Sequence, residues 1–279
     1  MSRSSASRRG VFGLVGLVGL VGLVGLVGTA EAQFGVPGGA RAVGEDYHVE
    51  AGFAWWNAEP SLIVSSESLG IAGTDVDLVN DLGIAQKRLP EIRLVLRPAR
   101  KHKFRLHVMP ITYEAEAAVP REFIFNGQRY RVGLPVNTSV DLKTYRFGYE
   151  YDFISRDRGF FGVLLDLKYT DTAIELNSPI GAEFTSAVAP IPTIGVVGRG
   201  YLTRNASITG EVSFFKVPEN LSDEFQGRYL DYDFYGTVNF TNNFGLQLGL
   251  RSIDVFYQVD TDRGDLEFKG WYFAGVVRF

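Results

Sequence analysis

No cysteine occurs in the 279 residues, and methionine and histidine are scarce, at two and three copies. Without cysteine there is no disulfide framework, no thiolate metal site, no cysteine nucleophile and no lipid-modified cysteine behind a leader. Three histidines, His48, His102 and His107, leave little material for histidine-dependent catalysis. After residue 27 no apolar run approaches the ~20 residues that a membrane-crossing helix needs, which excludes a helical membrane protein. A net charge of −4 without a basic tract gives no reason to expect a nucleic-acid partner.

What the chain does have is alternation. Its last ten residues run Gly270 to Phe279, with Trp271, Phe273, Val277 and Phe279 on one parity and Tyr272, Ala274 and Arg278 on the other. Successive side chains of a strand point to opposite faces, so one face reads as lipid and the other as lumen. At the other end Arg3, Arg8 and Arg9 precede a Gly-Leu-Val-rich run from Val11 to Val27, followed by Ala30-Glu31-Ala32. Charged, apolar and small-x-small segments in that order are the marks of a secretory signal peptide. An uncleaved anchor is the rival reading, since roughly 17 apolar residues lie at the lower limit for spanning. The expected organisation is a signal peptide over 1–32 cleaved near Ala32, a Gly/Pro-rich periplasmic lead over 33–45, and one barrel domain over 46–279 in the outer membrane of a Gram-negative bacterium.

The pattern predicts an all-β, up-and-down antiparallel transmembrane barrel of about ten strands, with eight or twelve as the other counts. The intervals between alternating stretches are alternately long, near 57–88, 117–136, 177–184, 218–227 and 261–264, and short, at 98–102, 155–159, 203–205 and 241–243. Short turns belong to the periplasm and long loops to the outside. Several faces are clean: Ala51, Phe53 and Trp55 against Glu50, Gly52 and Ala54; Tyr232, Phe234 and Val238 against Asp231, Asp233 and Thr237. The stretch 244–260 changes phase, and a β-bulge near Arg251-Ser252 would restore its register. Trp55 and Trp271 are assigned to the extracellular interface, and Phe104, Phe153, Phe161, Phe240, Phe244 and Phe279, which flank short turns, to the periplasmic one.

Within the second long interval, Arg121 to Arg131 reads as two arms joined by Asn126-Gly127, a dipeptide that favours a type I′ hairpin. It is expected to extend the sheet above the membrane as a ribbon. The run Phe123-x-Phe125-x-Gly127-x-x-Tyr130, together with Val140-x-Leu142, the stretch Tyr145 to Phe153, and Thr74 to Gly83, resembles segments of bacterial outer-membrane β-barrel proteins without an assigned activity. The resemblance covers essentially the chain after the leader and implies a partner, the barrel assembly machinery, which reads a C-terminal strand. In that signal a glycine usually stands where this chain has Ala274.

Hydrolases of barrel fold need a histidine close to a nucleophile or water near the extracellular rim. Here the histidines fall toward the periplasmic side, away from the acidic rim residues Asp260, Asp262 and Asp265, so the chain reads as a non-enzyme without cofactor. A periplasmic site of His48, Glu50 and His107 is a weak alternative. Asp75, Asp77 and Asp81 do not have the spacing of an EF-hand, and a capped turn explains them more simply than calcium. The remaining polar feature is the inward parity, which carries Glu50, Arg93, Arg97, Arg105, Arg146, Glu150, Asp166, Lys168, Arg199, Glu211, Asp231, Asp233 and Arg251, with Asp152 and Arg278 beside them. In a narrow bore these charges are expected to pair across the lumen, for example Glu150 with Arg251. The reading is a narrow or plugged barrel with a structural or surface-binding role through its extracellular loops. A small porin-like channel for ions or solutes is the alternative, and an outer-membrane hydrolase a distant third.

Overall fold

The computed structural model describes residues 42–68, 70–218, 225–259 and 261–279; the signal peptide, most of the 33–45 lead, part of the 218–227 interval and Asp260 lie outside the described residues. Thirteen strands follow one another: β1 (Val49–Ser65), β2 (Val76–Asp77), β3 (Lys87–Ala99), β4 (His102–Ala118), β5 (Phe123–Phe125), β6 (Gln128–Tyr130), β7 (Pro135–Arg156), β8 (Gly159–Ser178), β9 (Gly181–Tyr201), β10 (Ala206–Lys216), β11 (Phe225–Asn239), β12 (Phe244–Val259) and β13 (Asp262–Arg278). Ten of them form one barrel in the order β1-β3-β4-β7-β8-β9-β10-β11-β12-β13, and β13 returns to pair with β1. The closing ladder is antiparallel and runs from Glu50↔Arg278 up to Ser65↔Arg263.

The outward parity forms an apolar belt. Phe104, Phe153, Phe161, Phe240, Phe244 and Phe279 are exposed around the end that carries the short turns, which is the periplasmic end. Trp55, Trp271, Tyr145 and Tyr169 are exposed at the other margin. Two residues beyond each of these four, away from the periplasm, the outward position is polar: Asn57, Lys269, Lys143 and Asp171. That change marks where lipid gives way to water, because a charge facing lipid is costly and aromatic side chains favour the interface.

The wall continues well above this margin, so the extracellular intervals are shorter than the sequence pattern suggests. The interval 177–184 is a two-residue turn, Pro179-Ile180, between paired strands. The expected bulge near Arg251 is absent: β12 keeps an unbroken register with β11 and with β13 from one end to the other. Odd residues of β12 point inward throughout, and it is their chemistry that changes, from Gln247 and Arg251 to Ile253, Val255 and Tyr257. The same change occurs on β1, where Glu50 and Gly52 lie low and Leu62 and Val64 high.

The upper interior is therefore an apolar core. Trp56, Leu62, Val64, Met109, Ile111, Tyr113, Val140, Ile174, Leu266 and Phe268 from the wall meet Val76, Leu78, Leu82 and Ile84 from the β1–β3 connection. The β5–β6 hairpin has its type I′ turn, with Asn126 and Gly127 at φ of 48° and 78°. It does not extend the wall as a ribbon; it is a separate two-stranded sheet laid onto this core. The reason lies in its own parity: Phe123, Phe125 and Tyr130 share one apolar face and are fully buried. Backbone bonds from Thr74 to Ile124 and from Asn126 to Ser66, with the Arg121–Asp81 ion pair, knit the two connections into one cap.

Placing a cation on the belt tests this assignment of faces. Leu248→Arg, in the outward row between Phe244 and Leu250, is expected to cost about 2–4 kcal/mol, read as a lowered urea midpoint in lipid vesicles; a neutral result would put that row away from lipid.

Candidate functional site

Below the apolar core the lumen is filled by ion pairs, and they connect into alternating chains. In one chain Asp166, Arg146, Glu211, Arg105, Glu150, Lys103 and Asp152 touch in that order, carboxylate and cation by turns, at distances of 2.5–3.2 Å. In a second chain, which crosses between facing strands as the first does, Asp233, Arg93, Glu91, Arg251, Asp231 and Lys168 alternate likewise, at 2.5–3.1 Å. Short sequence spacing builds these chains. Glu91 and Arg93 are two apart on β3, so both face inward with the carboxylate bridging to Arg251, and Asp231 and Asp233 on β11 are set likewise. Inward glycines make the room: a methyl at Gly148 would strike the Asp166 carboxylate, and one at Gly249 would lie 2.6 Å from the Tyr272 ring.

A third set closes the periplasmic mouth. The described part of the lead, Ala42 to Glu45, continues through Asp46 and Tyr47 and crosses from the β7–β8 and β9–β10 turns to β1. Ala42 donates to Asp157, Val43 donates to Arg204, and the Val43 carbonyl accepts from Tyr201 and Asn239. Glu45 is buried between Arg199, at 3.0 Å, and Arg97, at 3.7 Å. Arg278 reaches Glu50 at 2.5 Å and Asn239 at 2.7 Å. Tyr47 lies under the guanidinium groups of Arg97 and Arg278.

Each of the inward charges named from the sequence is buried in the lumen: Glu50, Arg93, Arg97, Arg105, Arg146, Glu150, Asp166, Lys168, Arg199, Glu211, Asp231, Asp233 and Arg251. The particular partnership of Glu150 with Arg251 does not form. Glu150 is held by Lys103 and Arg105, and Arg251 by Glu91 and Asp231, because the two residues belong to separate chains. The structure adds Glu91 and Lys103 to this set, and parity marks both, Glu91 with Arg93 and Lys103 with Arg105. Glu45 lies outside any strand and has no such mark.

The histidines are dispersed. His48 is exposed at the mouth, with Nδ1 at 3.2 Å from the Arg97 carbonyl, and His102 meets the Tyr149 hydroxyl at 2.7 Å. His107 is buried beside Glu91, not Glu50, at 3.7 Å, and neither ring nitrogen has a hydrogen-bond partner among the described residues. It borders an internal cavity of about 10 Å³ with Met109, Arg146 and Tyr229, room for about one water molecule. None of the three lies in the extracellular part. The acidic residues of the first connection are engaged locally: Asp77 accepts from the backbone of Val79 and Asn80, and Asp81 from Arg121.

A closed antiparallel wall, an apolar belt bounded by aromatic rows, and a polar lumen define an integral outer-membrane β-barrel protein. No protein-family model and no curated protein sequence matches the chain. Solved structures do. The outer-membrane protease OmpT of Escherichia coli superposes with a TM-score of 0.55 at 7% identity, over 85% of this chain and 98% of that one. The translocator domain of the autotransporter NalP from Neisseria meningitidis gives 0.44 at 8%, over 84% and 89%. The attachment invasion locus protein Ail of Yersinia pestis gives 0.35 at 7%, over 81% and 99%. At these identities the likeness to OmpT is one of fold.

Glu91 is the carboxylate on which the second chain turns, fully buried between two guanidinium groups. Glu91→Leu leaves Arg93 and Arg251 undercompensated and is expected to destabilise the barrel by about 3–5 kcal/mol. Denaturant unfolding in vesicles measures this, and a loss below about 1 kcal/mol would mean that the site is well solvated.

Proposed function

We propose that the protein is a closed, non-conducting barrel whose role is carried by its extracellular cap, a rigid surface for binding. The observation that supports this reading is that the described residues fill the bore at three levels: the lead across the mouth, the paired charges with a cavity of about 10 Å³ beside them, and the apolar core above. A water-filled pore needs a continuous polar path, and the upper interior, lined by Trp56, Leu62, Phe268 and the hairpin phenylalanines, offers none among the described residues. Proteolysis, the activity of OmpT, finds no support in the residues, since no histidine stands near the cap. Function on such a scaffold then falls to the loops that the wall holds in place.

Planar-bilayer recording tests the closed lumen. Folded protein is expected to give no steady current, and so is Glu45→Ala, because opening the mouth leaves the ion-pair chains and the apolar core intact. Steady steps whose ion preference shifts on replacing Glu91 or Lys168 would overturn the reading in favour of a narrow channel.

A further inference from the structure

β9 is paired on one edge over its full length and on the other over only part of it. With β8 it pairs from Gly159↔Gly200 up to Ser178↔Gly181. With β10 it pairs only from Tyr201 to Ile194; the ladder stops at Phe214, two residues before β10 ends at Lys216, and residues 219–224 beyond it lie outside the described residues. Residues 181–193 thus have no strand partner on that side among the described residues. Two bonds at the foot of the strand set the direction of its backbone groups: Leu202 N–H donates to Ala206 on the β10 side, and Tyr201 N–H donates to Arg158 on the β8 side. Backbone groups alternate in direction along a strand, so even-numbered residues face the open edge. Ala182, Phe184, Ser186 and Val188 present N–H and C=O there, and Phe184 is 60% exposed. Pro190 and Pro192 are also even, and residues without an N–H stand where no neighbouring strand needs one.

Natural sheets blunt open edges with proline, lysine, bulges or a covering loop. Beside the gap between β3 and β4 above Ile92↔Val108, Gly83 of the β1–β3 connection comes close to Ala117. On β9 the prolines guard only the membrane-proximal part, and from Ala182 to Val188 there is no proline, lysine or arginine. We propose that this edge takes up an extended segment of an extracellular polypeptide as an added strand.

A second copy in the same membrane fits poorly. Both barrels would stand extracellular end up with strands tilted ~35–45°, so two β9 edges facing across a twofold axis would cross at roughly 70–90° and could not pair. The fitting segment has no proline at alternate positions, apolar side chains beside Phe184 and Val188, and a cation opposite Glu183, whose carboxylate takes one amide donor, from Asn126 at 2.7 Å. This rests on the cap as the functional element and names the surface and the chemistry of its partner.

Amide hydrogen exchange on the folded protein, with and without a synthetic peptide alternating valine and threonine between terminal lysines, tests it. In the free protein the amides of Ala182, Phe184, Ser186 and Val188 are expected to exchange freely, while those of Glu183, Thr185 and Ala189 are protected by β8. The peptide is expected to slow the even set by at least roughly tenfold. Ser186→Pro should abolish this while Ser186→Ala retains it, and both should keep heat-modifiable gel mobility, because the Ser186 N–H lies on the open edge. Phe184→Lys, which leaves the backbone intact, should weaken binding. Protection of the even amides in the free protein, no effect of the peptide, or equal binding to Ser186→Pro would each overturn the proposal. A conducting barrel with exposed even amides would instead sink only the closed-lumen reading.

Discussion

The return of β13 to β1 is the pairing on which the rest of the structure depends. In hydrocarbon an unpaired backbone N–H or C=O costs several kcal/mol, so the sheet has no stable edge within the belt and must close. Closing it with ten strands sets a bore narrow enough for side chains from facing walls to touch. Arg93 of β3 reaches Asp233 of β11, and Arg146 of β7 reaches Glu211 of β10. Charges placed on the inward parity then have no bulk water to face, and alternation of sign is the arrangement that lets each interior carboxylate meet cations on both sides. Buried ion pairs recover their own desolvation at best, so these chains account for occlusion and for a single packing of the lumen more than for stability. Stability comes from the ladders and the lipid-facing belt.

Parity carried most of this into the sequence. Because the side-chain period of a strand is two, one correctly phased residue fixes the face of all its neighbours, and the inward charges and interface aromatics could be named without a structure. What parity cannot convey is which wall faces which. Glu150 and Arg251 share the inward side yet belong to chains with no ion pair between them among the described residues, since partner choice depends on strand order and stagger around the barrel. The lead was equally silent: Glu45 crosses the mouth outside any ladder, held by Arg97 and Arg199, whose positions are far away in sequence.

The phase change on β12 misled for a different reason. A bulge and a change of inward environment write the same pattern, an apolar set that hops from one parity to the other. On Leu246, Leu248 and Leu250 the apolar side meets lipid; on Ile253, Val255 and Tyr257 it meets protein. The strand never slips, and the surroundings exchange roles at the level of Arg251.

That exchange follows from where the hydrophobic effect acts. Beside lipid tails an apolar side chain gains little by turning inward, so the outside is greasy and the inside is free to be polar. Above the interfacial aromatics the outer face meets water, and burial of each large apolar side chain is worth about 1.5–3 kcal/mol, so the inside becomes apolar. The wall rises past that level on β7, β8 and β9, which makes the protruding part an ordinary water-soluble sheet with an ordinary core, completed by the hairpin and the first connection. A soluble sheet also inherits the problem of its edges, which the membrane-embedded ladder does not have. Pro190 and Pro192 answer it only near the belt, and among the described residues the even-numbered backbone groups from Ala182 to Val188 are the part of β9 without a neighbouring strand.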